Sequence, residues 1–295
     1  MGTSPRPPIP ASIQREVRQR CGFGCVICGM PFYQYEHLLG YAHVQRHVAK
    51  EITLLCHQHH GEKTNGLLPV EAVIEADKNP LNLRAGVSRP YNLHYSGHEC
   101  EVLIGSNLFT TTDDGTGNQI IAIMVDGVPL VSFDLEDGHL LLNLTLYDNQ
   151  NDVVMVIKRN ILIYSPNPWD IQLVGRNLII REAARSIFID MTFEVPNKIA
   201  INRGRLLCNG VEVLVKPDHC LLTNNSMVIA NNLSKGVACG LNLGRVAPVP
   251  SAFAFSGIPR YLGDNSEAIR WTKEALSFIP NGAEKDLDVH GVDLS

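Results

Sequence analysis

Apolar positions near the N-terminus follow two short helical patterns on either side of a cysteine- and histidine-rich stretch. SIQREVRQR (residues 12–20) spaces its two apolar residues four positions apart among basic ones, which predicts a helix that ends at Cys21-Gly22. LPVEAVIEADKNP (68–80) predicts a second helix, halted by its final proline. Between them the pattern is broken by glycines, so the metal-ligand side chains should lie on short strands and turns.

From about residue 91 to residue 245 the pattern changes to short β-branched runs bounded by Asn, Asp and Gly, which predicts strands. Four of these runs contain a sequence typical of a tight turn between two strands. These turns are VDGVPL (125–130), KRNILI (158–163), VGRNLII (174–180) and NRGRLL (202–207). Their irregular spacing leaves two architectures open, a sandwich-like fold and an irregular β-solenoid.

The changes of pattern predict an α+β protein of three parts. LNLRAGVSRP (81–90) is punctuated by Gly, Ser and Pro and reads as a linker, so a small domain should occupy residues 1–88. A β-rich domain should follow over 89–250, and residues 251–295 should hold a C-terminal helix and a polar tail. The helix is predicted at 266–278, SEAIRWTKEALSF, from its amphipathic spacing.

Composition places the chain among soluble globular proteins, with 45% hydrophobic and 19% charged residues. No run approaches the roughly 20 apolar residues of a membrane span, and MGTSPRPPIP lacks the apolar core of a signal peptide. We therefore expect a cytoplasmic protein with no membrane partner. The net charge of −5 divides into +3 over residues 1–90 and −8 over the remainder. The basic bias fits phosphate contact, although a solvated surface would give the same count.

The eight cysteines fall into two groups. Four lie in apolar, strand-like surroundings, where a free cysteine is most often a small buried hydrophobe. These are Cys100, Cys208, Cys220 and Cys239. The other four gather near the N-terminus in spacing typical of a metal site, and they are Cys21, Cys25, Cys28 and Cys56.

Two ligand pairs predict a structural zinc site. Cys25-x-x-Cys28 can bring two thiolates to one tetrahedral ion, and Cys56-x-x-His59 supplies a second pair 28 positions after Cys28. Cys21 could replace Cys25, but its spacing of seven to Cys28 suits a zinc knuckle poorly. The alternative to zinc is two unrelated pairs of buried side chains.

Further ligand-type side chains remain after a zinc site is filled. Glu36 and His37 lie side by side in QYEHLLG, and His57 and His60 flank the last zinc ligand. The order Cys-x-x-Cys, Glu-His, a loop, then Leu-Cys-x-x-His-His-x-x-Lys resembles the HNH endonucleases. These belong to the His-Me finger class, whose ββα-metal fold is often pinned by zinc. The resemblance covers about residues 15–66.

The resemblance implies a role for each matching residue. Glu36 and His60 would bind a catalytic divalent ion, and His37 would activate water. Lys63 matches the basic residue one turn further on, and either Lys63 or Arg46 could hold a phosphate. One position departs from the family pattern, because Glu51 stands where an asparagine normally holds the loop that orients the catalytic histidine.

Other residues of the same loop keep several interpretations open. His47 or Gln45 could supply a hydrogen bond in place of the missing asparagine. His43 and His47, four positions apart, could form a separate ligand pair if the loop were helical, or could be surface histidines. His57 has no assigned role and is expected to be exposed, with metal or phosphate contact as the alternative.

Phosphodiester hydrolysis needs these residue types together. A divalent ion held by Glu36 and His60 could stabilise the charge that develops at phosphorus and on the leaving oxygen. An imidazole with a pKa of about 6.5 is largely neutral near pH 7 and can accept a proton from water, which suits His37. One carboxylate ligand favours Mg²⁺ or Mn²⁺, and imidazole ligation also admits Ni²⁺ or Zn²⁺.

Two functions therefore remain. The first is a metal-dependent DNA endonuclease, acting most readily on double-stranded DNA, with the β-rich domain used for targeting, regulation or homo-oligomer formation. Bacterial defence is the setting in which such nucleases are commonly used. The second is a zinc-dependent binding module without cleavage, for which Glu51 is the best argument. The β-rich domain carries no catalytic motif, and Trp169 and Tyr164 could line a ligand surface or pack in the core.

Overall fold

The computed structural model describes residues 7–112, 119–137, 139–244 and 250–263. The architecture is α+β, as predicted, with short helices near the N-terminus and strands in open sheets over most of the remainder. No helix in these ranges is long and apolar enough to cross a membrane. The helix predicted at 266–278 lies outside the described residues.

Helices are confined to the first part of the described chain. They are α1 (Ala11–Arg20), α2 (Tyr41–Val44), α3 (His57–Thr64), α4 (Val70–Lys78) and α5 (Leu81–Ala85), with a 3-10 turn at Ala49–Glu51. The first predicted helix is confirmed as α1, which ends at Cys21, and the second as α4, which ends before Pro80.

Strands account for most of the rest of the described residues. They are β1 (Gln34–His37), β2 (Ile52–Leu55), β3 (Tyr91–Asn92), β4 (Glu99–Ile104), β5 (Asn107–Thr112), β6 (Gln119–Val125), β7 (Val128–Glu136), β8 (His139–Tyr147), β9 (Val153–Lys158), β10 (Ile161–Tyr164), β11 (Asp170–Val174), β12 (Asn177–Ala183), β13 (Ser186–Glu194), β14 (Lys198–Cys208), β15 (Val211–Lys216), β16 (His219–Leu222), β17 (Met227–Ile229), β18 (Leu233–Lys235), β19 (Cys239–Leu243) and β20 (Ser251–Phe255).

The chain folds into two compact units that are discontinuous in sequence. Unit 1 comprises the residues up to Tyr91 together with Ile163–Phe188, and unit 2 comprises Asn92–Leu162 together with the residues from Ile189 onward. The domains predicted from sequence were instead continuous stretches with boundaries at residues 88 and 250. The return of residues 163–188 to unit 1 could not be seen in the local pattern, because it depends on contacts between distant residues.

Unit 1 is built around a two-stranded hairpin. Strands β1 and β2 pair antiparallel, with Glu36 opposite Thr53 and His37 opposite Ile52. Every residue of β2 is buried, including the polar Thr53, so this strand does not alternate between a buried and an exposed face. Helices α1 and α4 contribute Val17 and Val73 to the same core. The hairpin therefore fixes the position of β1 relative to β2, and with it the point at which the chain leaves β2.

The segment predicted to be a linker contains a helix. Helix α5 begins after Pro80 and ends at Gly86, whose φ of 72° is left-handed. Its Asn82 is 1% exposed and donates hydrogen bonds to the carbonyl oxygens of Gly22 and Gly29. The linker prediction at 81–90 was wrong because Gly86 ends a short helix here, and Pro80, just before the segment, precedes its first residue.

Unit 2 contains two groups of paired strands. In the first, β6, β7, β8 and β9 form an antiparallel meander, and β19 lies parallel to β6 and to β20. In the second, β13 to β17 follow one another antiparallel, β4 pairs parallel with β14, and β5 joins β4 to β18. The choice between a sandwich and a β-solenoid stays a prediction.

Three of the four predicted tight turns are confirmed. Asp126 and Gly127 both have positive φ between β6 and β7, at 52° and 81°, and Arg159 and Asn160 do the same between β9 and β10. Gly175, with φ of 58°, closes the hairpin of β11 and β12.

The fourth turn prediction, at residues 202–207, was wrong because this stretch lies inside β14. Gly204 has φ of 144°, and the pairing of β14 with β13 shifts register near Asp190. The shift leaves Asn202 as the extra residue, so this stretch contains a bulge two positions before the glycine rather than a turn. The chain reverses instead at Asn209-Gly210, where both φ values are positive.

A buried polar network joins the turns of unit 2. Asp126 accepts hydrogen bonds from Asn209 at 3.1 Å and from Arg260 at 2.7 Å. Asn151 exchanges two hydrogen bonds with Asn209, at 3.0 and 2.8 Å. The Asp126 and Arg260 side chains are 0% and 1% exposed, so the two charges are compensated within the unit.

Unit 1 depends on a buried ion pair between residues far apart in sequence. Arg18 of α1 donates two hydrogen bonds to Asp170, the first residue of β11, at 2.8 and 2.7 Å. Their side chains are only 4% and 2% exposed. The pair is one of the contacts that join residues 163–188 to the N-terminal segment, and Gln19 adds another by donating to the carbonyl oxygen of Trp169.

Replacing Asp170 with Ala should destabilise unit 1 by about 3–5 kcal/mol, because it leaves the Arg18 guanidinium buried without a counter-charge. Urea denaturation would be followed by Trp169 fluorescence in a Trp271→Phe background, so that only unit 1 reports. The control Glu75→Ala breaks an exposed pair with Lys78 and should change stability by less than about 1 kcal/mol. Equal effects of the two changes would contradict the structural role of Arg18–Asp170.

Candidate metal centre and adjacent histidine cluster

The first two candidate ligands lie on a tight turn. Cys25 donates its backbone N–H to Met30 at 2.9 Å, and Gly29 donates to the Cys25 carbonyl at 2.8 Å. Gly29 has φ of 72°, and a Cβ added there would lie 2.3 Å from Oδ1 of Asn82. Only glycine fits this position, so the turn that presents Cys25 and Cys28 is tightly specified.

Cys25, Cys28, Cys56 and His59 form one group. Their ligand atoms all lie within 4.8 Å of one another. Sγ of Cys28 is 3.7 Å from Sγ of Cys56, and Nδ1 of His59 is 3.4 Å from Sγ of Cys25 and 3.3 Å from Sγ of Cys56. The four residues chosen from their spacing are therefore the four that come together.

These separations fit a tetrahedral ion. A zinc ion bound at about 2.3 Å by sulfur and about 2.0–2.1 Å by nitrogen holds its ligand atoms about 3.5–3.8 Å apart. The observed distances lie close to this range, and a Cys₃His set is a usual donor set for structural zinc. The group can hold a structural metal such as zinc.

The thiols of this group are electrostatically coupled. The hydrogen bond with Cys25 lowers the pKa of Cys28 to about 5 and raises the pKa of Cys25. Burial raises the pKa of Cys56. A divalent ion would take the place of the protons that these thiols otherwise carry.

Helix α3 connects the Cys₃His group to a second cluster. The helix starts directly after Cys56, and it has the sequence HQHHGEKT, in which no side chain is apolar. Successive helical residues point about 100° apart, so His59 can face the cysteines while His60 faces β1. Lys63 lies three positions after His60 and shares its side of the helix.

Glu36 lies at the centre of the second cluster. Its carboxylate is 3.0 Å from Nε2 of His60 and 2.5 Å from Nζ of Lys63. Lys63 also donates to the carbonyl oxygen of His37 at 3.2 Å, and its side chain is only 9% exposed. The Lys63 ammonium therefore rests on Glu36 rather than in solvent.

The His37 ring is buried, with 2% of the residue exposed. Its Nε2 is 3.2 Å from the carbonyl oxygen of Arg46 and 3.2 Å from Nδ1 of His47. A carbonyl oxygen only accepts hydrogen bonds, so the neutral ring must carry its hydrogen on Nε2. Nδ1 is then the basic nitrogen. The ring also contacts Tyr41, with centroids 5.1 Å apart.

The tautomer of His47 follows from its hydrogen-bond partners in the same way. Its Nε2 is 2.9 Å from the carbonyl oxygen of Pro7, so that nitrogen is the donor and Nδ1 accepts from His37. Of the two residues considered as replacements for the missing asparagine, His47 is thus the one whose ring contacts His37. Gln45 is exposed, and its backbone adopts the left-handed conformation, with φ of 48°.

Arg46 and Glu51 are paired across the loop. The guanidinium donates to the Glu51 carboxylate from Nε at 3.0 Å and also from Nη2. The hydrogen bond with Arg46 lowers the pKa of Glu51. Arg46, considered above as a phosphate ligand, has a side chain that is 64% exposed and already engaged by this carboxylate.

The remaining candidate residues lie outside both clusters. Cys21 is buried near Thr53 and Asp77, with Sγ distances of 3.8 and 3.7 Å, and is not part of the cysteine group. His57 is exposed, and its Nδ1 lies 2.8 Å from Nε2 of Gln34. His43 is also exposed.

The other residues of uncertain role are placed as follows. Tyr164 is buried and donates to the carbonyl oxygen of Phe23, so the core alternative holds for it. Trp169 is half-buried and lies under the guanidinium of Arg15. The scattered cysteines Cys100, Cys208, Cys220 and Cys239 are buried free thiols, as expected.

If the Cys₃His group holds zinc, the replacement Cys28→Ala should abolish zinc binding and destabilise unit 1, because metal binding and folding are coupled at such sites. The matched control is Cys21→Ala, which removes a buried thiol of the same unit outside the group. Zinc content would be measured by mass spectrometry of the purified proteins, and melting by circular dichroism. Equal zinc content in the two variants would contradict the assignment of Cys28 as a ligand.

Comparisons with known proteins add no further assignment. The chain matches no family model, and neither a curated protein nor a solved structure matches it. The structure itself supplies a Cys₃His group that can hold a metal, and beside it a carboxylate with one histidine and one lysine.

Proposed function

We propose that the chain is a metal-dependent endonuclease that hydrolyses phosphodiester bonds of double-stranded DNA. Unit 1 would carry the reaction, and the strand-rich unit 2 would serve targeting, regulation or self-association. The net charge of +3 over residues 1–90 is compatible with an approach to a polyanion.

One observation carries the proposal. A hairpin, β1 and β2, followed by helix α3 brings Glu36 within 3.0 Å of His60, with His37 next to Glu36 in the strand. Glu36 and His60 are 24 positions apart in sequence, so strand register and the helix start must both be right for them to meet. A carboxylate and an imidazole at one point suit metal-assisted hydrolysis, and His37, the next residue along the strand, would supply the base.

The geometry of Glu36 and His60 fits a divalent cation. Two neighbouring ligands of an octahedral ion bound at about 2.1 Å lie about 3.0 Å apart, which is the distance between Oε2 and Nε2. Such an ion would neutralise charge at the scissile phosphate and on the leaving oxygen. The donor set of one carboxylate and one imidazole leaves the choice among Mg²⁺, Mn²⁺, Ni²⁺ and Zn²⁺ open.

The chain's own residues would divide the remaining work. Hydrolysis forms a bond from a water oxygen to phosphorus and breaks the bond to the leaving oxygen. Nδ1 of His37 would accept the proton that the water loses, because Nε2 already carries a hydrogen towards Arg46 and His47. With 2% of His37 exposed, this role requires the Tyr41 or His47 ring to turn aside when substrate enters.

Lys63 would act as a second cation beside the carboxylate. Its ammonium contacts Glu36 directly, so it compensates the carboxylate charge in the absence of a metal. When a cation occupies the same oxygen atoms, Lys63 would be released towards the phosphate. Lys63 would thus contact Glu36 first and the phosphate afterwards, and it would compete with the metal for the Glu36 carboxylate.

The burial of His37 favours a second candidate function. The His37 side chain, which is 2% exposed and hydrogen-bonded through Nε2, can serve a purely structural purpose. Unit 1 would then be a zinc-pinned binding module without hydrolytic activity. The two candidates differ in whether removal of His37 changes a reaction or only a fold.

Replacing His37 with Ala should lower metal-dependent cleavage of supercoiled plasmid by about 10²- to 10⁴-fold, because the general base is lost. Wild type and variant would be compared in EDTA and then in Mg²⁺ or Mn²⁺, at equal folded concentration. His43→Ala, in the same loop and exposed, is the control and should cleave like wild type. Absence of cleavage by every protein in every metal would support the binding module instead.

Replacing Lys63 with Met should tighten Mn²⁺ binding by at least about tenfold, because it removes a positive charge from the Glu36 oxygen atoms. Binding would be measured by electron paramagnetic resonance on zinc-loaded protein, so no turnover is needed. Lys78→Met removes an exposed lysine paired with Glu75 and should leave the affinity unchanged. If Lys63→Met binds Mn²⁺ no better than wild type, Glu36 is not the cation ligand.

A further inference from the structure

The two ends of Arg46 make different contacts. Its guanidinium binds the Glu51 carboxylate through two nitrogen atoms, and its carbonyl oxygen lies 3.2 Å from Nε2 of His37. The side chain and the main chain of one residue thus connect Glu51 to His37. Nothing in the spacing of the motif reveals this connection, because the carbonyl contact depends on the path of the loop.

Glu51 is fixed at the base of that loop. Its carbonyl oxygen accepts from the N–H of Leu38 at 2.9 Å, and its own N–H donates to Val48 at 2.9 Å. Leu38 directly follows His37, and Glu51 directly precedes β2, so the first of these bonds extends the hairpin by one step, while the second closes the 3-10 turn. The carboxylate therefore projects from a point that is rigid relative to His37.

We propose that the Glu51–Arg46 ion pair is a positioning device for His37, which takes over the loop-holding role of the absent asparagine. The inference rests on the proposed function and deepens it. With Arg46 held at its side chain, its carbonyl oxygen stays aimed at Nε2 and keeps the hydrogen there. This contact thereby favours the tautomer with the hydrogen on Nε2.

The charge balance argues against Arg46 as a phosphate ligand. Its guanidinium makes two contacts to one carboxylate, and the hydrogen bond with Arg46 lowers the pKa of Glu51, so both groups stay charged near neutral pH. A phosphate would have to replace a carboxylate that is already in place. Arg46 therefore acts through His37 and does not need to touch the substrate.

The test separates positioning from DNA binding and from stability. Glu51→Ala breaks the pair, and the double change Arg46→Glu with Glu51→Arg restores it with reversed charges. The matched control is Glu136→Ala, which breaks another exposed pair, in unit 2, where Arg159 binds Glu136 through two nitrogen atoms at 3.0 and 2.8 Å. Each zinc-loaded protein would be assayed for plasmid cleavage and by ¹H–¹⁵N spectra of the imidazole rings.

Glu51→Ala should lower kcat about 10- to 100-fold with KM changed less than about twofold, because a small misplacement of a catalytic group acts on the chemical step. The charge-reversed double variant should recover to within about threefold of wild type, and Glu136→Ala should match wild type. A rise in KM at unchanged kcat would mean that the pair contacts DNA, and it would overturn the inference.

The imidazole spectra decide the inference independently of cleavage. The signals of His37, identified by their loss in His37→Ala, should show the Nε2–H tautomer in wild type and a mixture of tautomers in Glu51→Ala. An unchanged tautomer would overturn the positioning role. If no protein cleaves but the tautomer shifts as expected, the proposed nuclease function fails while the Glu51–Arg46–His37 linkage stands.

Discussion

Helix α3 cannot be held in place by hydrophobic burial, and unit 1 depends on what holds it instead. An eight-residue helix with no apolar side chain and a glycine in its middle is unstable in isolation. Its position is set by His59 on one side, within the cysteine group, and by His60 and Lys63 on the other, at Glu36. Polar contacts thus do here what a hydrophobic core does elsewhere, and a metal bound by the Cys₃His group would add to them.

This constraint couples the two clusters. His59 and His60 are neighbours in the sequence, so any shift of the helix moves both of them. A metal in the Cys₃His group would therefore fix the distance between His60 and Glu36 as well as stabilising the fold. Gly29 and the buried Asn82 support the same arrangement, because their close contact restricts the conformation of the turn that carries Cys25 and Cys28.

Much of the secondary structure was predictable because it depends on neighbouring residues. The end of α1 at Cys21, the end of α4 before Pro80 and three hairpin turns follow from local backbone preferences. Gly204 shows where such reasoning fails. A glycine between apolar residues is compatible with a turn or with a nearby bulge, and the pairing with the partner strand decides which one forms. The predicted linker at 81–90 failed for a similar reason, because the hydrogen-bond partners of its Asn82 lie more than fifty positions away in the sequence.

The sequence by itself determined the set of metal-type ligands, since Cys25, Cys28, Cys56 and His59 follow from spacing that a tetrahedral ion imposes on short turns. It also determined the α+β class. Only the tertiary structure decided that Arg18 meets Asp170, that Lys63 rests on Glu36, and that Glu51 reaches His37 through Arg46. These contacts join charged groups whose partners are selected by strand register, loop path and burial, and none of those is encoded in a local pattern.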